Sequence, residues 1–590
     1  MTNKRRIRWK FGILAGLAVV LVTMIPQLSL WIERGGEGRG AYAIVDPDEL
    51  AYSGYINSIV NGKSRRNDPF LGGATTSHET YFSIQFIPAY ALGFVARLFG
   101  LSTGTVFTLF APLFAFLSSL AVFWLLSTIT GDEKVAAVGV LLVLLCGVLA
   151  STNLLIEDNH YAVFSFLRRS VPAFPFPLFF LFCICIWQAF NRSGSASLAW
   201  SSTAGAILVT LIYSYFYLWT TAVVLLSILT LLWFIYRKED RPNVLKSAAI
   251  IGAVALVALV PYFQMLSQRS RTTDHYMALV RTHAPDLFRF TEILGALILF
   301  AVVFGVRRGR LELRSPATLF VIACAITPLV VLNQQVLTGR SLQPFHFDQF
   351  ALSYMVLVAA VIVDALWWRL LTRRALLPIA LSLVVGVSLA AKTTKVNSPQ
   401  NHTTDAALPV FAAIQDDMKH NPATGSVLFD RTLLAAVAPT YTSSFPLLWS
   451  PYGFTYGSVT QQEDNERLFQ YFYYLGVNEK RLEDLLKGNL YRAGLFGLHR
   501  VNPTLTAKFD PVRQDEIQAQ VKRYSEYRQQ FSAEHAGRWP LSYVVLTANR
   551  NYDFSYLDRW YERDGGQRVG DSVIYRVQPR FNRLETKAKD

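Results

Sequence analysis

Apolar segments separated by short polar loops make up the chain from residue 11 to residue 391, and residues 392–590 lack them. A helix needs roughly 20 apolar residues to cross about 30 Å of hydrocarbon. The pattern therefore predicts a polytopic α-helical membrane protein with about 11 transmembrane helices. These are placed at residues 11–31, 104–128, 135–152, 171–190, 199–213, 217–236, 245–263, 291–306, 316–332, 351–370 and 375–391.

The side of the membrane on which each loop lies depends on how two apolar stretches are interpreted. Residues 200–236 are too long for one span, so we divide them at the aromatic turn formed by residues 213–217. Residues 82–99 are placed within the first outer loop, residues 33–102, as an interfacial helix. With these choices the basic loops all fall on one side, which the positive-inside rule assigns to the cytoplasm.

Composition excludes a single soluble core, since 52% of the residues are hydrophobic and 16% are charged. The net charge of +15 does not indicate nucleic-acid binding, because the lysines and arginines lie mainly beside apolar segments. The basic residues before residue 11 resemble those of a signal peptide. No small-residue cleavage site follows them, so we expect a retained first span with a cytoplasmic N-terminus.

The tail, residues 392–590, has the pattern of a soluble extracytoplasmic α/β domain, so we divide the chain into a membrane domain at 1–391 and this tail. Strands are predicted at residues 426–430, 543–547 and 572–577, and helices at 461–486 and 515–531. An aromatic run between Tyr441 and Tyr456 suits either stacking on sugar rings or the core of the domain.

The first candidate site is the acidic cluster Asp46, Asp48 and Glu49, which follows the first span. Ionisable groups held close to a bilayer are costly, so such a cluster is a functional-site hypothesis. A purely structural alternative exists. Asp46 suits an N-cap, Pro47 suits the first helical position, and Glu49 completes a pattern like a capping box. The residues from Tyr52 to Val60 are then expected to form an amphipathic helix.

A second outer loop carries Glu157 and Asp158, followed by Arg168 and Arg169. If the two loops converge, one carboxylate can accept a proton from an attacking hydroxyl and another can orient it or hold a divalent cation. Arginine suits a phosphate because its guanidinium binds two oxygens at once. The alternative for both arginines is that they snorkel toward the membrane interface.

A third outer loop, residues 333–346, is more polar than a connector requires. Its amides, Arg340 and His346 suit the binding of a sugar or of a phosphate leaving group. The alternative is a solvated loop tip. The cysteines, Cys146, Cys183, Cys185 and Cys324, all lie in apolar runs and have no metal-ligand spacing.

Together these features resemble the GT-C superfamily of membrane glycosyltransferases, which use polyprenyl-phosphate-linked sugars. Pro47-Asp48-Glu49 with Tyr52, Gly62 and Asp68-Pro69 is similar to the first outer loop of its aminoarabinose transferase and protein mannosyltransferase branches. The segment 77–82 is similar to a family motif whose lysine meets the donor phosphate, and His78 stands in its place. Arg340 lies in the loop that carries a donor-phosphate arginine in oligosaccharyltransferases.

The resemblance implies an inverting glycosyltransferase of a bacterial inner membrane, with Asp48 as the catalytic acid. Asp46, Glu49, Glu157 and Asp158 are the further candidate catalytic residues. It implies substrate binding by His78, Arg168, Arg169, Arg340 and His346, and it allows a divalent cation, Mg²⁺ or Mn²⁺, held by Asp48 and Asp158. The partners would be a polyprenyl-phosphate sugar donor, a glycan, lipid or protein acceptor, and membrane lipids.

Two other functions remain open from the sequence. A transporter or flippase of lipid-linked glycans would also expose charged residues around a cavity, although we find no internal repeat of the kind that transporters often show. An O-antigen polymerase or ligase would also have many spans, but it would concentrate its polar residues in one large loop.

Overall fold

The computed structural model describes residues 7–73, 76–151, 164–270, 279–422, 424–443, 445–456, 458–503 and 509–580. Among these residues, nine helices are long and apolar enough to cross a membrane. They are Thr103–Thr130, Glu133–Ala150, Gly194–Ile212, Phe216–Tyr236, Lys238–Ser267, Phe290–Arg307, Pro316–Thr338, Pro344–Trp368 and Leu376–His420. With the sheet in the tail described below, they confirm the predicted fold class, and the chain is an integral membrane protein.

The two remaining predicted spans also contain helices. Residues 11–31 form a pair, Lys10–Thr23 and Ile25–Arg34, with a bend of 45° between the pair's axes. Pro26 lies in the first turn of the second helix, where its missing N–H costs nothing. Residues 171–190 form the shorter helix Pro175–Phe190. The predicted division at residues 213–217 is confirmed, because one helix ends at Ile212 and the next begins at Phe216.

The predicted interfacial segment forms two short helices, Tyr81–Ile84 and Ile87–Phe99. The second has only 13 residues, fewer than a span needs. It buries Leu92 and Ala96 against the protein and leaves Phe94 and Leu98 exposed. Its position along the membrane surface stays a prediction.

The other helices are mostly short. In the membrane part, Glu49–Val60 and Leu370–Arg373 lie outside the nine spans. Gln335–Thr338 forms the end of the span Pro316–Thr338, and Pro344–Phe347 and Ser353–Val363 lie within the span Pro344–Trp368. In the tail the helices are Thr432–Tyr441, Gln461–Tyr474, Glu479–Leu485, Asn489–Phe496, Gln514–Gln529, Ala533–Arg538 and Ser555–Asp558.

Two sheets contain all seven strands among the described residues. In the first, β1 (Leu279–Arg281) pairs antiparallel with β2 (Arg340–Leu342). In the tail, β3 (Ser426–Phe429) pairs parallel with β4 (Leu541–Thr547), and β4 pairs antiparallel with β7 (Ser572–Pro579). β5 (Tyr561–Arg563) and β6 (Gln567–Val569) both pair with β7. The three predicted tail strands are therefore present, and β5 and β6, each of three residues, were too short for their pattern to be recognised.

The last span continues as one helix of 45 residues from Leu376 to His420, across the proposed domain boundary at residue 391. At 1.5 Å per residue it is roughly 65 Å long, about twice the hydrocarbon thickness. After residue 391, one face of this helix holds the segment at residues 39–45 by hydrogen bonds. Asn401 binds both the N–H and the C=O of Ile44, at 2.8 and 3.2 Å, and the buried Asp405 accepts from the N–H groups of Arg39 and Ala41. The chain is thereby aligned just before the acidic cluster.

The helix Glu49–Val60 is not amphipathic as the sequence predicted, because ten of its 12 residues are buried. The tail helix Thr432–Tyr441 covers the side that was expected to face solvent. Ser53 bonds to the hydroxyl of Thr440 at 2.6 Å, and the Asn57 amide donates to the carbonyl of Pro439 at 2.9 Å. The polar residues of this helix are thus buried and paired.

Candidate active site

The acidic cluster forms a tight turn that leads into the helix Glu49–Val60. The Asp46 carboxylate accepts the N–H of Asp48 at 2.9 Å, as the N-cap interpretation expects, although the helix itself begins at Glu49. Glu49 accepts the N–H of Val45 at 3.1 Å. Asp46 and Glu49 are buried at 2% and 0% exposure, whereas the side chain of Asp48 is 52% exposed. Of the three acids, Asp48 is therefore the one that a substrate can reach.

Arg168 holds Asp48 in place. Its Nη1 donates to the Asp48 carboxylate at 2.7 Å, its Nη2 to the Tyr215 hydroxyl at 3.1 Å, and its Nε to the Val171 carbonyl at 2.8 Å. The guanidinium also lies 4.5 Å from the ring centre of Phe350. Arg168 is 1% exposed, so it does not snorkel. It is a rigid cation behind a half-exposed carboxylate.

Arg169 pairs with the other acid. Its Nη1 lies 3.0 Å from the nearer Glu49 oxygen, and its backbone N–H also donates to Glu49 at 3.0 Å. The guanidinium further donates to the carbonyls of Ala43 and Phe107, at 2.9 and 3.1 Å. Both side chains are buried and paired with each other, so the snorkelling alternative is wrong for Arg169 too. This pair joins the acidic turn to the neighbouring helices.

The buried Asp46 carboxyl titrates far from its usual range. Burial, the largest cause, and the charge of Asp48 raise the pKa of Asp46 to about 7, against the opposing effect of Arg168. Asp46 therefore changes charge near neutral pH. Burial raises the pKa of Tyr52 to about 12, so that hydroxyl stays protonated and is a hydrogen-bond donor at neutral pH.

A cavity of about 150 Å³ opens beside Asp48. It lies among the helix Glu49–Val60, the ends of the spans around residues 213–217 and 342–346, and the short helices Tyr81–Ile84 and Ile87–Phe99. Nine of its lining residues are tyrosine or phenylalanine: Tyr52, Tyr55, Tyr81, Phe82, Tyr215, Phe216, Tyr217, Phe345 and Tyr452. Among the described residues that line it, Asp48 is the only acid and there is no lysine or arginine.

Two lining residues have backbone conformations that are uncommon without glycine. Ser170 has a φ of 69° and Gln343 a φ of 37°. Strained backbone clusters at functional sites because only surrounding structure can hold it. Both residues lie on the cavity wall, which supports the cavity as the functional centre.

The structure brings only some of the predicted substrate-binding residues to this cavity. His346 lines it, is 8% exposed, and its Nδ1 has no hydrogen-bond partner among the described residues. Arg168 and Arg169 lie behind the acids. His78 and Arg340 are exposed and are not among the lining residues. Beside His78, the buried Glu79 forms a bidentate pair with Arg65 at 2.6 and 2.8 Å.

Glu157 and Asp158 lie outside the described residues, so the predicted meeting of two acidic loops stays a prediction. Among the described residues, no group of three or more histidine, cysteine, aspartate or glutamate side chains suits a metal ion. Asp48 is paired with the guanidinium of Arg168. Asp158, its predicted partner in holding a cation, lies outside the described residues, so the predicted Mg²⁺ or Mn²⁺ site stays a prediction.

Some residues of the site were not predicted from the sequence: Tyr215 and Leu498 line the cavity. Gln343, one of the amides predicted to bind substrate, also lines it. Tyr452, from the aromatic run of the tail, lines it too, and its hydroxyl donates to the carbonyl of Pro47 at 2.8 Å. Arg269 lies over the ring of Tyr81 at 5.2 Å, near the cavity wall. Tyr215 stood in the aromatic turn used to divide two spans, and that turn was the only sequence feature that pointed to it.

No protein-family model matches the chain, and no curated protein matches it. Solved structures that it is similar to include three glycosyltransferases of the GT-C superfamily, the class that the sequence motifs resemble. The Archaeoglobus fulgidus oligosaccharyltransferase, in complex with Zn and sulfate, is 11% identical with a TM-score of 0.43, over 91% of this chain and 68% of that one.

ArnT from Cupriavidus metallidurans, bound to undecaprenyl phosphate, is 13% identical with a TM-score of 0.40, over 95% of this chain and 97% of that one. The mycobacterial arabinofuranosyltransferase AftD is 11% identical with a TM-score of 0.47, over 97% of this chain and 42% of that one. The chain thus spans less than half the length of AftD.

Proposed function

We propose that this protein is a membrane glycosyltransferase that moves a sugar from a polyprenyl-phosphate donor to an acceptor hydroxyl. The observation that carries the proposal is the half-exposed Asp48 carboxylate, held by Arg168 at 2.7 Å on the wall of an aromatic cavity. A general base needs a positioned, ionised group in contact with its substrate. The cavity lies at the outer ends of spans, where a lipid-linked substrate can reach it from the bilayer.

The proposed reaction is a single displacement. The acceptor oxygen forms a bond to the anomeric carbon of the sugar as its proton passes to the Asp48 carboxylate. The bond from that carbon to the phosphate oxygen breaks, and the polyprenyl phosphate leaves with the electron pair. One displacement inverts the configuration at the anomeric carbon. Arg168 orients the base through its hydrogen bond to the Asp48 carboxylate, and His346 is proposed to contact the substrate in the cavity.

Glu49 and Arg169 have a positioning role in this proposal. Their buried pair lies behind the turn, and an acid with no solvent exposure cannot meet a substrate directly. Asp46 is proposed to set the charge around Asp48, because its carboxyl titrates near neutral pH. Direct substrate contacts by His78 and Arg340 remain a hypothesis, as do catalytic roles for Glu157 and Asp158.

The proposed orientation follows the basic loops. The N-terminus would lie in the cytoplasm of a bacterial cell, and the cavity and tail on the outer face of the inner membrane. Accessibility of single engineered cysteines to a membrane-impermeant thiol reagent in intact cells tests this. A cysteine replacing the exposed Arg568 of the tail should react, and one replacing Arg310 should not.

Transfer itself is tested with purified protein and radiolabelled polyprenyl-phosphate sugars. Formation of a glycosylated acceptor with release of polyprenyl phosphate supports the proposal. Movement of the lipid-linked sugar across a liposome membrane without transfer would instead support a flippase.

A further inference from the structure

The tail domain contributes two residues to the cavity wall, Tyr452 and Leu498. All other lining residues come from positions 48–346, in the membrane part and its outer loops. The cavity is therefore completed by the tail, and its free volume depends on two side chains that sequence analysis assigned to a separate domain.

Tyr452 is held in place by its hydroxyl and by one face of its ring. Its hydroxyl donates to the carbonyl of Pro47 at 2.8 Å, and Pro47 directly precedes Asp48. One ring face stacks on Phe70, with centres 6.0 Å apart and planes 29° apart. The ring also lines the cavity. Its position relative to the Asp48 carboxylate is thus set by a hydrogen bond to the same turn.

The charge of the wall restricts what the cavity can hold. Among the described lining residues, Asp48 is the only acid, and Arg168 pairs with it from behind the wall at 2.7 Å. The faces of the tyrosine and phenylalanine rings also carry partial negative charge. An uncharged sugar ring can lie against the aromatic faces and donate hydroxyl hydrogen bonds to Asp48 or Gln343. A carboxylate on that ring would instead face the Asp48 carboxylate and the negative ring faces.

We propose that Tyr452 and Leu498 are specificity-determining residues that close the cavity over an uncharged sugar ring of the lipid-linked donor and limit its size. This inference rests on the proposed transferase function, since it assigns the cavity to the donor sugar. The walls on the membrane side favour assigning the cavity to the donor sugar rather than to the acceptor. They come from the interfacial helices and the outer ends of spans, within reach of a lipid tail in the bilayer.

The test uses purified full-length protein and three donors: polyprenyl phosphate carrying a neutral hexose, a neutral pentose or a hexuronic acid. Two quantities are measured for each donor, the dissociation constant and the transfer rate. The variants are Leu498→Trp, which fills part of the cavity, Leu498→Ala, which widens it, and Tyr452→Ala, which removes the ring. Tyr456→Phe is the matched control. The Tyr456 hydroxyl donates to the carbonyl of Ala51 at 2.7 Å, on the same helix, but Tyr456 does not line the cavity.

Leu498→Trp should weaken binding of the hexose donor by about tenfold or more relative to the pentose donor, because small changes in pocket size give discrimination of that order. Leu498→Ala and Tyr452→Ala should reduce the ring preference, which is the ratio of the dissociation constants of the hexose and pentose donors. Tyr456→Phe should leave this ratio as in wild type. The hexuronic acid donor should bind wild type about tenfold or more weakly than the hexose donor.

An unchanged ring preference in Leu498→Trp and Tyr452→Ala, with the wild-type thermal midpoint retained, would overturn the inference. Equal binding of the hexuronic acid and hexose donors would overturn it as well. Ring-selective binding without any transfer would leave the inference standing and reject the proposed transferase function, so the two failures are distinguishable.

Discussion

Arg168 and Asp48 form an ion pair of 2.7 Å whose members differ sharply in exposure: the arginine side chain is 2% exposed and the aspartate 52%. The next residues, Arg169 and Glu49, form a second pair in which both side chains are buried. Two consecutive arginines thus meet two consecutive acids. The first pair presents a carboxylate to the cavity, and the second anchors the turn behind it.

Replacing Arg168 should impair the reaction through Asp48. Arg168→Ala should lower kcat by about a hundredfold or more, since a misplaced general base loses most of its typical contribution of roughly 10² to 10⁴. Arg168→Lys should recover only part of this, because an ammonium group cannot bind Asp48, Tyr215 and Val171 together. Steady-state kinetics would measure both.

A matched control for Arg168 is Arg568→Ala, an exposed arginine on strand β6 of the tail. Its kcat should equal that of wild type. If Arg168→Ala also kept wild-type kcat, its position behind Asp48 would have no catalytic consequence.

The pair of Glu49 and Arg169 should matter for stability. Breaking a buried ion pair on one side typically costs about 3–5 kcal/mol, because the remaining charge stays buried without a partner. Glu49→Leu and Arg169→Leu should each lower the thermal midpoint of the detergent-solubilised protein. The double variant should lose less than the sum of the two, since neither charge is then orphaned.

Additive losses in the double variant would mean that the two side chains act independently. Ser102→Ala, at an exposed helix cap, serves as the control and should cost about 1 kcal/mol.

Asp46 should give the transfer rate a pH dependence near neutrality. Its pKa is raised to about 7, so the carboxyl is neutral below that pH and ionised above it. Ionisation adds a second negative charge beside Asp48 and repels an anionic donor. The rate should therefore fall as the pH rises through about 7, and Asp46→Asn, which stays neutral, should remove this decline. A pH–rate profile from 6 to 9 measures it, and an identical decline in the variant would contradict this role.

The alignment of the acidic turn by the long helix is also testable. Asn401 binds both backbone groups of Ile44. Asn401→Leu leaves two buried backbone groups unpaired, each at a cost of about 1–3 kcal/mol. We expect a lower thermal midpoint together with a lower kcat at unchanged donor affinity. If Asn401→Leu lowered the thermal midpoint but its folded fraction kept wild-type kcat, Asn401 would have a structural role only, and the predicted alignment of the acidic turn would be contradicted.

The membrane spans were predictable because hydropathy is a local property of the chain. The acidic turn was also found from local sequence, since Pro47 and the neighbouring acids have a recognisable pattern. The burial of the helix Glu49–Val60 was not predictable. It depends on a tail helix nearly 400 residues away, which bonds to Ser53 and Asn57.

The residue pairs that form the site could not be predicted from the sequence for the same reason. Arg168 and Asp48 are 120 positions apart, and Tyr452 and Pro47 are 405 apart. Their contacts arise from packing between distant segments. Hydropathy likewise placed the end of the last span near residue 391, whereas the helix continues to His420 because Asn401 and Asp405 hold its outer part against residues 39–45.

The most direct test of the account compares wild-type protein with Asp48→Asn in transfer from a radiolabelled polyprenyl-phosphate sugar. Asparagine keeps the shape of the side chain but cannot accept the proton of the acceptor hydroxyl. We expect donor binding within a few fold of wild type and a loss of kcat of about a hundredfold or more. Wild-type turnover by Asp48→Asn would contradict the central claim that this carboxylate is the catalytic base.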